Sequence, residues 1–261
     1  MRIGTWNVER LCRKKRLAPI LECCKQVDAD ILVLTETDRR IHPAYPYAYH
    51  TPLLAEAVDE DYYRPTENRV SIFSRYPCIR QHSVADANTS LCVELATGRG
   101  PLLVYGTILG TRGNREASFK IDVLSQMMDV RRLTNKGHAV CLVGDFNCSF
   151  LDNYYFTAWG RNTISYTFHD CAMELLTEKQ PECIDHIAIS RSFVKGAPFL
   201  VKEWNLDKTL SDHKGIGIRI WDVDEAIDIG AFTEKERQDM AQAEYDRLIE
   251  WGEERRGQGD G

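Results

Sequence analysis

The sequence has no uninterrupted apolar run close to the length of a membrane span, and its first residues lack the apolar core of a signal peptide. Both absences argue against a membrane-spanning or secreted protein, so we expect a soluble, cytoplasmic protein without a membrane partner. The composition is that of an ordinary globular protein, with 43% apolar and 28% charged residues. A length of 261 residues suffices for one large domain or two small ones.

The nine cysteines include no Cys-x-x-Cys pair, a spacing that is common in zinc sites. Their number is odd, and several of them, such as Cys92 and Cys141, lie within apolar runs. Cysteines in this setting favour reduced, mostly buried thiols. We therefore expect neither a disulfide framework nor a structural zinc site.

The formal net charge of −6 gives the chain no general attraction for a polyanion. The negative charge is concentrated in residues 222–261, which contain 13 acidic and 5 basic residues, whereas residues 1–221 have a net charge of +2. Net charge therefore neither requires nor excludes a nucleic-acid partner.

Residues 222–261 are predicted to form a separate, acidic helical extension. Thr233 and Glu236 have the spacing of a capping box, which opens a helix. A modest apolar stripe follows, made of Ala241, Tyr245, Leu248 and Ile249. The stripe predicts packing on the rest of the chain, or a contact with another protein or a second copy. The last five residues, Gly-Gln-Gly-Asp-Gly, are expected to be disordered.

Short apolar runs bounded by turn residues predict strands along most of the chain. These strands are 2–8, 30–36, 69–75, 78–84, 90–96, 101–109, 138–147, 183–190, 199–204 and 215–221. Helices are predicted at 17–27 and 114–134, and 51–68 has the composition of a long loop. The mixture predicts an α/β fold with its sheets packed in the middle.

The stretch Leu-Val-Gly-Asp-Phe-Asn, at 142–147, resembles the end of a buried strand that finishes on two polar residues. Residues i and i+2 of an extended chain point to the same side, so Asp145 and Asn147 would project together and Phe146 would enter the core. A turn is the alternative reading, because Gly, Asp and Asn all favour turns.

Four other predicted strands also have polar residues at one end. These residues are Asn7, Glu36, Asp185, and Asp212 with His213. Catalytic groups of α/β proteins gather at such strand ends, so we expect the set to meet at one rim of the sheets.

The side chains in this set suit phosphate chemistry with a hard metal ion. Carboxylates are oxygen ligands or bases, and the amides of Asn7 and Asn147 can bind an ester oxygen of the substrate without repelling it. Several carboxylates packed together would raise one another's pKa unless a cation lay among them. The chain has no zinc-type set of cysteines and histidines, so the expected cofactor is Mg²⁺ or Mn²⁺.

Six blocks of the sequence resemble, in order, the motifs of the endonuclease/exonuclease/phosphatase superfamily. They are TWNVE, LVLTETD, NRVSIFSRYP, LVGDFN, CIDHIAIS and LSDHKGI. The superfamily includes pancreatic-type DNases, exonuclease III-like abasic-site endonucleases, deadenylases and inositol phosphatases. The resemblance covers residues 1–221 and implies one catalytic domain there, a four-layer α/β sandwich. In that fold two central mixed β-sheets are flanked by helices, and the site lies at one end.

The resemblance also implies how a metal ion would be bound. Glu36 would be the main Mg²⁺ ligand, and Asn7 and Asp212 would help to hold that ion or a second one. Asn7 is in addition a candidate for substrate contact.

Catalytic roles follow from the same motifs. Asp145 would orient or deprotonate the attacking water, and Asn147 would hold a phosphate oxygen. Asp185 would hydrogen-bond His213, which fixes the imidazole and favours its charged form next to the phosphate.

One position departs from the motifs of many members. Where they have Thr-His-Leu, this chain has Thr107, Ile108 and Leu109, and isoleucine cannot contact a phosphate or a leaving group. Abasic-site endonucleases also lack that histidine and use a nearby tyrosine, which makes Tyr105 a candidate substitute.

Arg112 and Arg115 follow the 101–109 strand and would lie at the same rim. Substrate contact and an ordinary surface at the start of a helix explain them equally well.

The main hypothesis is therefore a Mg²⁺-dependent phosphodiesterase, a nuclease that cleaves DNA or RNA by in-line attack of water. One alternative is a phosphatase or phosphodiesterase acting on a small-molecule or lipid phosphate. Another is a catalytically inactive binding module that engages a partner through its C-terminal segment.

Overall fold

The computed structural model describes residues 1–12 and 14–221, so the predicted extension at 222–261 lies outside the described residues. The strands are β1 Arg2–Asn7, β2 Ile31–Asp38, β3 Tyr47–His50, β4 Glu67–Ser74, β5 Cys78–His82, β6 Ser90–Thr97, β7 Gly100–Ile108, β8 Val140–Asp145, β9 Met173–Leu175, β10 Asp185–Ser190, β11 Phe199–Trp204 and β12 Gly215–Ile220. The helices are α1 Leu17–Val27, α2 Leu54–Ala57, α3 Ala117–Asn135, α4 Ala158–Asp170 and α5 Arg191–Val194, with 3-10 turns at Glu9–Leu11 and Lys14–Arg16.

The strands form two sheets of six. The first has the order β11-β12-β1-β2-β4-β3, and the second has the order β5-β6-β7-β8-β10-β9. Each sheet is mixed, because β1 and β2 run parallel in the first and β7 and β8 run parallel in the second, while the other neighbours are antiparallel. The predicted sandwich of two mixed sheets flanked by helices is confirmed.

The main hydrophobic core lies between the two sheets. Strand alternation supplies it with every second residue, such as Val33 of β2 and Ile72 of β4 opposite Val104 of β7 and Val143 of β8. The intervening residues face outward, where α1 covers the first sheet and α3 with α4 covers the second. Both sheets are thus covered on both faces, which is why their strands have almost continuous apolar sequences.

The topology brings five strand ends to one rim of the sandwich. Strands β1, β2 and β8 run toward this rim and end in polar residues. Strand β10 is antiparallel to β8 and therefore starts there, with Asp185 opposite Asp145. Strand β12 is antiparallel to β1, so the residues just before it also lie at this rim.

The structure contains elements that the apolar pattern did not indicate. They are β3, β9, α4, α5 and the short α2 within the predicted 51–68 loop. Helix α4 begins at a polar cap, since the hydroxyl of Thr157 accepts a hydrogen bond from the backbone N–H of Gly160 (3.1 Å). The predicted helix at 114–134 begins only at Ala117, and Asp185 rather than Cys183 opens β10.

All nine cysteines are free, and five of them are buried. This agrees with the expectation of reduced, mostly buried thiols. No helix in the described part of the chain is long and apolar enough to cross a bilayer.

Candidate active site

Asp145 joins the two sheets at the rim. Its carboxylate is 2% exposed and accepts a hydrogen bond at Oδ2 from Nδ2 of Asn7, 3.1 Å away. The other oxygen, Oδ1, accepts from the backbone N–H of Asn147 at 2.9 Å. Asn7 ends β1 in the first sheet and Asp145 ends β8 in the second, so residues 138 positions apart meet in one polar contact.

Asn147 follows in a left-handed conformation, with φ of 49°, which a residue other than glycine rarely adopts. Its Nδ2 donates to the carbonyl oxygens of Leu109 (2.9 Å) and Gly110 (3.3 Å). Its own carbonyl accepts from Nδ2 of Asn114 at 2.9 Å. These bonds fix the 146–148 turn beside β7, and Phe146 enters the core as expected.

Asp185 and His213 form a short charge-assisted pair. Nδ1 of His213 donates to Oδ2 of Asp185 at 2.6 Å, and the two side chains are only 15% and 2% exposed. Burial lowers the pKa of His213, but the charge and hydrogen bond of Asp185 outweigh burial and raise it to about 10. The imidazole is therefore a cation at neutral pH.

The loop that carries His213 is held by residues that the motif analysis missed. The backbone carbonyl of His213 accepts from Nε1 of Trp6 (3.1 Å) and from Nδ2 of Asn205 (2.7 Å). The hydroxyl of Ser211 donates to the carbonyl of Asn7 at 2.6 Å and thus ties this loop to β1. Trp6 and Ser211 are direct neighbours of predicted site residues, a signal that could have found them, whereas Asn205 stands outside every motif.

Glu36 completes the acidic set. It lies near the end of β2 with φ of 42° and is partly exposed between two buried threonines. Burial raises the pKa of Asp145, and the charges of Asp185 and Glu36 raise it further, while His213 only partly offsets them. The negative charges of Asp185 and Glu36 thus act on the carboxylate of Asp145 across the rim.

A cleft of about 390 Å³ opens beside His213 and Asp185. Its far wall carries Tyr154, which is 48% exposed, and Lys208. The ammonium of Lys208 lies 3.1 Å from the hydroxyl of Tyr154 and 5.2 Å from the centre of its ring. The cleft is therefore lined both by the His213–Asp185 pair and by an aromatic ring with a neighbouring ammonium group.

A comparison with protein-family models matches residues 4–213 to the Endonuclease/Exonuclease/phosphatase family. The chain belongs to this family. Its members are hydrolases that act on phosphoesters, and they generally depend on a divalent metal ion.

Solved structures of low identity share the fold. The 3′ phosphatase NExo from Neisseria, bound to a product DNA hairpin, has a TM-score of 0.63 and 18% identity over 85% of this chain and 99% of its own. An AP endonuclease from Archaeoglobus fulgidus has a TM-score of 0.63 and 11% identity, over 84% of this chain and 99% of its own. Beta toxin from Staphylococcus aureus has a TM-score of 0.56 and 16% identity, over 85% of this chain and 100% of its own. A comparison with curated proteins found no significant sequence match.

The rim carries oxygen donors of the type that a hard divalent ion binds. Among the described residues, no three His, Cys, Asp or Glu side chains are arranged to hold one ion together. Mg²⁺ does not need such a set, since it usually keeps several waters and takes one or two carboxylates. Glu36 and Asp212, whose side chain is 69% exposed, offer two carboxylates at the rim, and the amide oxygen of Asn7 accepts a hydrogen bond from the backbone N–H of Glu9 (3.0 Å).

Tyr105 is not part of the site, which corrects the expectation that it replaces the missing histidine. Its ring is fully buried on the outer face of β7, and its hydroxyl donates to Asp129 (3.0 Å) and approaches Ser90 (3.2 Å). Ile108 has the opposite orientation and packs in the core between the sheets, next to Asp145 in register. Two residues three apart on a strand face opposite sides, so Tyr105 cannot reach the space near Ile108.

Arg112 and Arg115 are exposed in the loop between β7 and α3 and have no hydrogen bond or ion pair with the described residues. Asn114, between them, connects this loop to Asn147. Contact of Arg112 and Arg115 with a substrate stays a prediction.

Proposed function

We propose that this protein is a divalent-metal-dependent phosphodiesterase that hydrolyses a phosphodiester bond of nucleic acid by attack of water. The observation that carries the proposal is the contact of Asn7 with Asp145, which joins the two sheets at the rim that also carries the Asp185–His213 pair. A family of phosphoester hydrolases supplies the reaction class.

Asp145 is the proposed general base. Its raised pKa makes it a stronger proton acceptor than an ordinary carboxylate, and its two hydrogen bonds fix both oxygens. One oxygen is oriented by Asn7 and the other by the backbone of Asn147, so the carboxylate is already positioned before a water reaches it.

His213 is the proposed cation for the charge that develops on the phosphate oxygens. It lines the cleft, and its Nδ1 is held by Asp185, while its Nε2, 4.0 Å from Oδ1 of Asp212, is the proposed donor to a substrate. Asn147 lines the same cleft and is a neutral candidate for a second phosphate contact.

Glu36, with Asn7 and Asp212, would hold the metal ion, for which we propose Mg²⁺ or Mn²⁺. When bound, the ion would polarise a phosphoryl oxygen and offset the negative charge of the carboxylates.

Nucleic acid is the proposed substrate on two grounds. Two similar structures belong to a phosphatase bound to a DNA hairpin and to an AP endonuclease. In addition, the exposed Arg112 and Arg115 would meet a polyanion at the rim, and exposed arginines are the usual contacts of nucleic-acid phosphates.

A second candidate is hydrolysis of a terminal or small-molecule phosphate ester. The size of the cleft favours it, because 390 Å³ lies at the lower end of the range for small-ligand pockets. The aromatic ring of Tyr154 beside Lys208 suits one base or a similar ring rather than a duplex.

The experiment compares metal-stripped full-length protein with protein given Mg²⁺ or Mn²⁺, on single-stranded DNA, duplex DNA, RNA and a chromogenic phosphodiester. We expect polymer cleavage that requires the metal and falls at least about a hundredfold in Glu36→Gln and His213→Ala. Glu22→Gln, an exposed change on α1, is the matched control and should keep full activity.

Turnover of small esters alone would favour the second candidate. Absence of turnover on every substrate, with the fold intact by circular dichroism, would leave the non-catalytic binding module as the remaining hypothesis.

A further inference from the structure

Helices α3 and α4 leave an apolar groove on the outer face of the second sheet, away from the catalytic rim. The groove has a volume of about 320 Å³. Three of its large side chains are at least half exposed: Leu124 (50%), Met128 (68%) and Tyr166 (66%). Ile121, one turn before Leu124, is 68% exposed.

This exposure is unusual for a helix that already has a buried face. Helix α3 packs Phe119, Val123 and Met127 against the sheet, so its core-facing side is already provided by these residues. A second apolar side that faces outward is typical of a surface that another element covers.

We propose that residues 233–250 of the same chain bind in this groove, with the stripe of Ala241, Tyr245, Leu248 and Ile249 facing Leu124, Met128 and Tyr166. The sequence of this segment has one apolar face at helical spacing, which is the complement that a groove between two helices takes.

The place where the described chain ends makes the groove accessible to this segment. The carbonyl of Trp221 accepts from Nη1 of Arg99 (2.7 Å), and Arg99 also donates to the carbonyl of Val194 in α5 (3.3 Å). Helix α5 is in turn joined to the end of α4, since the N–H of Arg191 donates to the carbonyl of Ala172 at 2.9 Å. The chain therefore leaves the body near the C-terminal end of α4.

The intervening residues are long enough to reach the groove from that point. Residues 222–232, fully extended, span up to about 36 Å, whereas α4 itself is about 20 Å long. A tether of this length also gives the segment a local concentration that a separate partner would not have.

Charge favours the same occupant. Residues 233–250 carry a net charge of −3, and the groove lining contains one cation, Arg131, and no carboxylate. The ion pair of Arg131 with the exposed Asp170 lies at the groove edge and can be exchanged for an acid of the incoming segment.

Photo-crosslinking in the full-length protein tests this proposal. A benzophenone amino acid replaces Met128 at the groove, or Ile79, a 53% exposed residue on β5 that serves as the matched control. Equal amounts of ¹⁴N- and ¹⁵N-labelled protein are mixed before irradiation, so mass spectrometry separates links within a chain from links between chains.

We expect links from position 128 to peptides of 233–250 within one chain, and no such links from position 79. Links between differently labelled chains would show a second copy in the groove and overturn the proposal. Absence of links to 233–250 would overturn it as well.

Two variants that add the same charge test the face of the segment. Leu248→Glu places a carboxylate within the stripe and should lower the crosslink yield about tenfold, because burial of a leucine is lost. Ala243→Glu adds the same group on the opposite side of a helix and should leave the yield unchanged. An equal loss in both variants would contradict the assigned face.

Discussion

Two groups of buried acids lie near the same rim of the sandwich, and they are neutralised in different ways. In the first, Asp38 accepts two hydrogen bonds from the guanidinium of Arg40, at 2.8 and 2.6 Å, and one from its backbone N–H, and Glu67 is paired with Arg10 (2.8 Å) and with Arg64. We call these five residues the arginine-paired cluster. In the second, Asp145 is bonded to an amide and a backbone N–H, and its neighbour Asp185 is bonded to a histidine.

The pKa values of the two groups move in opposite directions. Burial raises the pKa of Asp38, but hydrogen bonds from Arg40 and Thr66 outweigh burial, so its pKa is lowered. Burial and neighbouring acids raise the pKa of Asp145 instead. A permanent guanidinium locks a carboxylate in its charged form, whereas an amide positions it and leaves it able to take a proton. The arginine-paired cluster is thus built to hold the loop before β4, and the Asp145 site is built to react.

The largest expected effect is on catalysis. Asp145→Asn keeps the size of the side chain and removes the proposed base, so turnover of a phosphodiester should fall by about 10²- to 10⁴-fold. The free energy of unfolding in urea should change by no more than about 1 kcal/mol, because removal of a buried, repelled charge is offset by the loss of one of the two hydrogen bonds that the carboxylate accepts. Activity within tenfold of wild type would contradict the assigned role.

The opposite outcome is expected in the arginine-paired cluster. Asp38→Asn leaves Arg40 without its charged partner and should lower the free energy of unfolding by about 2 to 3 kcal/mol. The catalytic rate constant of the folded protein should be unchanged. If this variant loses activity at full stability instead, the distinction between the two groups of acids fails.

Two histidines near the site have pKa values that are shifted in opposite directions, so they change the stability of the protein in different pH ranges. Complete burial lowers the pKa of His186 to about 4, although the hydrogen bonds of its ring with Thr177 and with the carbonyls of Cys148 and Cys183 act in the opposite direction. Its contribution to stability is complete above the ordinary pKa of about 6.5 and is lost as the pH falls toward 4, by up to about 1.4 kcal/mol per pH unit. His213, with its raised pKa, contributes fully below about 6.5 and loses its contribution as the pH rises to about 10.

Urea unfolding of wild type and His186→Gln between pH 7 and pH 5 measures the first of these effects. We expect a weaker dependence on pH in the variant, since one group that resists protonation is gone. His50, whose pKa burial also lowers to about 4, remains in both proteins, so the difference between them is the informative quantity. If the free energy of unfolding changed with pH equally in both proteins, protonation of His186 would not destabilise the fold.

The smallest expected effect concerns Tyr105. Tyr105→Phe removes the hydroxyl that bonds Asp129 and should lower the free energy of unfolding by about 1 kcal/mol, with phosphodiester turnover unchanged. A large loss of turnover at nearly normal stability would return Tyr105 to the catalytic set.

The sequence by itself determined the fold class and indicated which polar residues lie at the strand ends of the rim. Apolar runs that end in Asn7, Glu36 or Asp145 were enough to predict a polar rim, because a strand end must leave the core. The direction of Phe146 followed from alternation along an extended chain. The motif order then indicated the family, and the match over residues 4–213 confirmed it.

Tertiary structure alone decided which of these groups meet and which way the ambiguous side chains point. The contact of Asn7 with Asp145 joins two sheets across 138 residues, and no local pattern encodes it. Alternation along the predicted 101–109 strand already implies that Tyr105 and Ile108 face opposite ways, but β7 is apolar on both faces because helices cover its outer side, so its sequence could not show which of the two faces the other sheet. Alternation carries information about direction only where one face is polar, and at the centre of a four-layer sandwich that condition is not met.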